Sequence, residues 1–181
     1  IGATFHIFDG STLVEVATAN QKGLKLKEDI RVVVGGKEVL GIFARQIIDF
    51  SASYDIVDLS VAPNVRIGVL RRRGMKSAFV RDEWEVMDPY ENLIGYFYED
   101  SGFLGVLRRF VDFVSLFVPQ NYDLTIGPAP EQGRKVGDFR QNRNPFTYHL
   151  NIYSLASPQE FDRRIILAAG ILAAAIEGRQ R

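Results

Sequence analysis

The stretch that decides the fold is Ser157 to Glu177, Ser-Pro-Gln-Glu-Phe-Asp-Arg-Arg followed by Ile-Ile-Leu-Ala-Ala-Gly-Ile-Leu-Ala-Ala-Ala-Ile-Glu. Ser157-Pro158-Gln159-Glu160 has the form of a capping box. The serine side chain accepts at the third helical position, proline suits the first, and Glu160 reaches back to the cap. The sequence therefore predicts a helix over 158–177. From Ile165 to Ile176 every residue is apolar or glycine, and a helix without a polar stripe must be buried all round. A membrane span needs about 20 apolar residues. This run is shorter and lies between Arg163-Arg164 and Glu177, so it reads as a core helix that requires a protein wall.

The wall is legible upstream. A triad of apolar, polar and aliphatic residues recurs as Phe5-His6-Ile7, Ile30-Arg31-Val32, Tyr54-Asp55-Ile56, Trp84-Glu85-Val86, Tyr122-Asp123-Leu124 and Tyr148-His149-Leu150. Each has the alternation of a half-buried strand. Most are followed by turn chemistry and a second strand: Asp9-Gly10, Gly35-Gly36, Pro63-Asn64, Asp88-Pro89 with Asn92, Pro128 to Gly133, and Asn144-Pro145. Gly41, Gly68 and Gly95 are 27 residues apart, and Gly137 continues the series after an insertion. That insertion, 103–118, places Phe103, Val106, Leu107, Phe110, Phe113, Val114 and Phe117 at helical spacing before Pro119. The expectation is a mainly β, single domain over 1–181. It would be a closed antiparallel barrel of about twelve strands wrapped around the C-terminal helix and interrupted by an inserted amphipathic helix. Closure removes exposed edges, and a barrel of this size has room for a helix. The fluorescent-protein can shares that geometry but not the position or chemistry of its helix.

Composition narrows function. Twenty-two basic residues balance 22 acidic ones, so no global field draws the chain to nucleic acid. With no cysteine there is no disulfide, thiolate nucleophile or cysteine-ligated metal, which suits a cytoplasmic location. No basic-then-apolar signal segment follows Ile1. Gly35-Gly36-Lys37 lacks the spacing and strand-to-helix context of a phosphate loop. His6 and His149, the only histidines, sit at the outward middle position of the triad, shared by Arg31, Asp55, Glu85 and Asp123, and make a poor zinc site. Asp82, Glu83, Glu85, Asp88, Glu99 and Asp100 are spread by strand alternation rather than gathered. No catalytic residue, metal or cofactor is expected.

The strand pair Asp82-Glu83-Trp84-Glu85-Val86-Met87-Asp88 and Asn92-Leu93-Ile94-Gly95, the preceding Arg71-Arg72-Arg73-Gly74-Met75-Lys76-Ser77 and the terminal helix carry a family resemblance. Over about 30–178 the chain resembles the tubby C-terminal and LURP-one-related superfamily, which includes the phospholipid scramblases. The resemblance implies a roughly twelve-stranded barrel around a hydrophobic C-terminal helix and a non-enzymatic role near membranes. The chain lacks the cysteine-rich palmitoylation segment of scramblases and any EF-hand spacing, and none of the family's headgroup residues aligns onto it.

Locally, Arg71, Arg72, Arg73 and Lys76 form the densest basic cluster, suited to an anionic lipid headgroup, although alternation puts Arg72 on the face opposite Arg71 and Arg73. Arg108 and Arg109 on the inserted helix would meet phosphates while Phe103, Phe110, Phe113 and Phe117 contact a membrane or a partner. The expected partners are anionic membrane lipids at a peripheral site, with self-association or a second protein through the inserted helix as the alternative reading. An enzyme with a site at the barrel mouth ranks below both.

Overall fold

The computed structural model describes residues 2–22, 29–46, 52–73, 83–100, 120–142 and 148–177. Eleven strands form one sheet in sequence order: β1 (Ala3–Phe8), β2 (Glu15–Gln21), β3 (Asp29–Val34), β4 (Lys37–Gln46), β5 (Ser53–Asp58), β6 (Val65–Arg72), β7 (Glu83–Met87), β8 (Leu93–Glu99), β9 (Asn121–Ile126), β10 (Arg134–Gln141) and β11 (Leu150–Ser154). Every pairing is antiparallel. One helix, α1 (Arg163–Glu177), follows them.

The triads form the inner wall as expected. Their first residues Ile30, Tyr54, Trp84 and Tyr122 and their third residues Val32, Ile56, Val86 and Leu124 are buried in one core with the helix. The helix is enclosed: Ala168 and Ala169 are fully buried, as are Ile165, Ile166 and 171–175 within a few per cent. On a flat sheet β6 and β10 would lie about 19 Å apart, four strand spacings. Yet the neighbouring residues Ile165 and Ile166 press against Gly68 of β6 and Gly137 of β10 respectively. The sheet must therefore curl around the helix.

The curl has a repeated cause. In each of the five hairpins the register slips by one residue just after the third triad residue, at Ile7, Val32, Ile56, Val86 and Leu124. The extra residues are Val16, Val39, Ile67, Ile94 and Val136. A bulge bends its strand and sharpens the local right-handed twist, so five equivalent bulges coil the sheet progressively. The residues after the bulges are Ala17, Leu40, Gly68, Gly95 and Gly137. Gly41 falls one place beyond and is not equivalent to the other glycines; its missing side chain is covered by the Phe43 ring, with the Arg31 guanidinium over it.

Three expectations are corrected. Among the described residues the sheet has eleven strands rather than about twelve, and it is not a closed barrel, since no ladder joins β1 to β11. In an antiparallel meander with an odd number of strands the two edges run in the same direction, so they cannot close by another antiparallel ladder. The helix starts at Arg163, not at 158. Only the return bond of the capping box is present, the Ser157 N–H donating to Glu160 at 3.0 Å while the Glu160 N–H donates to the Ser157 backbone carbonyl, and the segment makes a single turn. Buried Phe161 interrupts it, and Asp162 caps the helix instead by accepting from the Arg164 N–H at 2.9 Å. The helix expected at 103–118 lies outside the described residues.

Ala169→Arg puts an unpartnered charge inside the sheet and is expected to abolish soluble expression. Gly95→Ala is the backbone counterpart: its Cβ would sit 2.0 Å from the Thr125 carbonyl oxygen, which overpacks a rigid neighbour. We expect a loss of about 1–3 kcal/mol in urea unfolding. Gly10→Ala, which meets nothing within 4 Å, should change stability by under about 0.5 kcal/mol.

Candidate functional site

The outer face of the sheet is a lattice of ion pairs built on the middle triad positions. Arg31 meets Asp29 at 2.9 Å and Glu38 at 2.6 Å. Asp55 accepts from Arg45 at 2.6 Å and Arg66 at 3.4 Å, and both arginines also reach Glu91. Asp123 lies 2.6 Å from Lys135 and 3.4 Å from Arg140, with Asp138 and Asp100 completing the group. Burial pushes the Asp123 carboxyl above its ordinary value. At Asp138 burial acts the same way but is outweighed by hydrogen bonds from Lys135 and Arg140, so that carboxyl is held low. His6 faces Glu15 at 3.1 Å on the exposed side of β1 and β2, and His149 is exposed. No group of three metal-ligating side chains occurs among the described residues.

The basic cluster follows strand alternation. Arg71 is held by Glu85 at 2.6 Å. Arg73 pairs with Glu83, which raises the arginine's pKa, and lies 3.9 Å from Glu85. Arg72 is turned to the other face, its guanidinium over the Trp84 ring at 5.8 Å. The three arginines therefore do not converge on one anion, and the acidic residues of β7 already neutralise the outward pair. Lys76, Arg108, Arg109, Phe103, Phe110, Phe113 and Phe117 lie outside the described residues.

The sequence reading missed the opposite end of the sheet, where the hairpin turns and the N-terminus of α1 lie. Among the described residues, the large apolar side chains left exposed all fall there. They are Phe8, Leu13, Val14 and Val16 on the β1–β2 hairpin; Val34 at the end of β3; Val61 and Val65 on β5–β6; Tyr90 and Leu93 on β7–β8; and Tyr153 and Leu155 at the end of β11. Two of these tips are built alike. The third triad residue is followed two places later by aspartate, Asp9 after Ile7 and Asp88 after Val86. Asp9 Oδ1 accepts from the N–H and hydroxyl of both Ser11 and Thr12, between 2.6 and 3.0 Å. Those bonds, the Ser11 hydroxyl first, lower its pKa to about 2. Asp88 Oδ1 accepts from the N–H groups of Tyr90 and Asn92 at 2.8 and 2.9 Å. In each of these turns a non-glycine residue lies in the left-handed region, Leu13 at φ 56° and Glu91 at φ 70°, its N–H donating to the backbone carbonyl of Asp9 or Asp88. Leu13 is 78% exposed and Tyr90 85%. The signal was present in the sequence as Asp at a fixed offset from the triad, but a turn aspartate reads first as a connector.

Asp58 occupies the same offset on the β5–β6 hairpin and accepts from Ser60 through its N–H at 2.9 Å and its hydroxyl at 2.6 Å. It also pairs with Arg164 of the helix, which Asp162 holds at 2.7 Å from the other side. Two arginines in the first turn of a helix oppose its dipole, and these two carboxylates offset them. Bonds from Ser60 first, and then Arg164, hold Asp58 below the usual carboxylate value. Burial opposes the same shift at Asp162, but Arg164 outweighs it.

No protein-family model, curated protein or solved structure matches the chain.

Depressed carboxylate pKa values contribute stability that is fully present above the ordinary carboxylate pKa and is lost as pH falls through the lowered values. Arg164→Met should therefore destabilise the protein at neutral pH. The gap to wild type, read from thermal unfolding at stepped pH, should narrow below about pH 4 as Asp58 and Asp162 take up protons.

Proposed function

We propose that the protein is a non-enzymatic membrane-surface binding module, of the kind the tubby and LURP-one-related resemblance implies, and that it docks through the hairpin-tip rim rather than through the arginine cluster. The observation that carries this reading is Leu13: a bulky side chain, 78% exposed, at positive φ in the turn that Asp9 organises. The left-handed region costs a residue with a Cβ roughly 1–2 kcal/mol, and strain of this kind persists at sites where geometry serves function. Phe8 and Val14 flank it, and Tyr90 stands on the tip built in the same way. Preordered apolar tips enter the headgroup boundary with little further loss of conformational freedom. The lattice of paired charges on the strands leaves the apolar rim as the more distinctive surface.

Vesicle flotation tests the reading. Wild type should co-float with phosphatidylcholine vesicles and with vesicles containing phosphatidylserine, with little salt dependence. Leu13→Asp combined with Tyr90→Asp should weaken association at least about tenfold, because one buried large apolar side chain contributes roughly 1.5–3 kcal/mol. Arg71→Glu with Arg73→Glu should leave it nearly unchanged. Absence of association, or dependence on Arg71 and Arg73 alone, would overturn the rim reading. Leu13→Gly separates the two roles of that position: it should fold with up to about 1 kcal/mol more stability by relieving the positive φ, yet bind vesicles as poorly as Leu13→Asp.

A further inference from the structure

The tips that carry Leu13 and Tyr90 are held differently. Among the described residues, the hydrogen bonds at the β1–β2 tip all come from within that hairpin: Ser11 and Thr12 bond to Asp9, and the backbone of Asp9 meets that of Leu13 and Val14. The β7–β8 tip is also gripped from outside. Arg66, on the outward face of β6, spreads its guanidinium across it. Nη2 donates to the Pro89 carbonyl at 2.5 Å and Nη1 to Glu91 Oε1 at 3.2 Å. Nη1 lies 3.4 Å from Asp55 as well. Arg45 of β4 donates to the same Glu91 oxygen at 2.9 Å and, through Nε, to Asp55 at 2.6 Å.

Tyr90 lies between the two gripped residues. One planar group holds the backbone carbonyl on one side of it and the carboxylate on the other, and the side chain between them is 85% exposed. The fork of a guanidinium reaches both acceptors at once, which a lysine ammonium on its flexible stem does not do in a fixed geometry. The hairpin that supplies Arg66 is anchored in turn, since Asp58 of β5 accepts from Arg164 of α1 at 2.5 Å. The tip is thereby braced through its neighbour to the core helix. Exposed ion pairs contribute little to global stability, so the use of this one is local. A surface side chain that is ordered before contact loses less freedom on binding.

We infer that Arg66 is a positioning residue of the rim: by holding Pro89 and Glu91 it fixes Tyr90 in the orientation in which the rim docks on a lipid surface. It acts through Tyr90 from the charged outer face. The inference rests on the membrane reading and extends it to a residue outside the apolar rim.

The test compares wild type, Arg66→Met, Arg66→Lys and Arg71→Met. The last is a control that loses an outer-face ion pair five residues further along β6. In the free protein, amide exchange at 90–92, whose N–H groups are all bonded within the turn, should rise about three- to tenfold in both Arg66 variants. Exchange at 3–8 should not change, and Arg71→Met should match wild type at both places. Flotation then uses neutral phosphatidylcholine vesicles, which offer no net surface charge for the lost cation to meet. Apparent affinity should fall about three- to tenfold in both Arg66 variants, the loss expected when one side chain must be ordered on binding. In a Tyr90→Ala background, Arg66→Met should make no further difference. The inference is overturned by unchanged exchange at 90–92, by unchanged flotation, by full rescue with Arg66→Lys, or by an equal loss in the Tyr90→Ala background. Faster exchange throughout the chain with a lowered unfolding midpoint would make Arg66 a residue of the general fold and overturn it too. Wild type that does not float overturns the rim reading and the inference together, whereas wild type that floats beside unaffected Arg66 variants overturns the inference alone.

Discussion

Everything in this structure depends on a helix with no polar side. From Ile165 to Ile176 α1 presents apolar atoms in every direction, and no flat sheet can cover more than one face of it. The sheet must curl, and curling a meander requires a bend in each unit. The bulge opposite the third triad residue supplies that bend in all five hairpins. The alanines and Gly170 keep the helix narrow enough for the coil, and at Gly170 the approach of Ile152 leaves no room for a side chain. Helix composition and strand irregularity are thus two halves of one packing solution.

The division of labour across the sheet follows from the same triad. Its outer residues send apolar side chains to the helix, and its middle residue carries the charge that pairs across strands. Exposed ion pairs of this kind contribute little each, roughly 0–1 kcal/mol, so the lattice on the outer face is better understood as fixing register and solvating the wall than as holding the fold together. It also accounts for the pairing of Arg71 and Arg73 with Glu85 and Glu83, which stand on the next strand at the positions that alternation assigns them.

The core was legible in the sequence because it rests on periodicity. The triads, the apolar run of the helix and the inward placement of Trp84, Tyr54 and Tyr122 all follow from side-chain alternation and hydropathy. Closure by a further antiparallel ladder was not legible, because it depends on whether the strand count is odd or even, and a count of about eleven or twelve does not decide that. The helix start was misplaced because the Ser157 box satisfies its own local hydrogen bonds in one turn, while burial of Phe161 and the cap at Asp162 are tertiary events. The apolar rim was missed for a further reason. Leu13, Val61 and Tyr90 are ordinary residues in ordinary turns until the fold brings the hairpin tips to one end.

The helix that forms the core follows all eleven strands along the chain. During synthesis each hairpin can close on its own neighbours as it emerges, since every ladder joins consecutive strands. The inner wall nevertheless has nothing to pack against until α1 appears. The nascent sheet must carry an apolar concave face through most of its translation, a state prone to wrong association. The lattice of paired charges on the convex face then acquires a use before the fold is complete, keeping one side of an unfinished gutter in water while it waits for its filling.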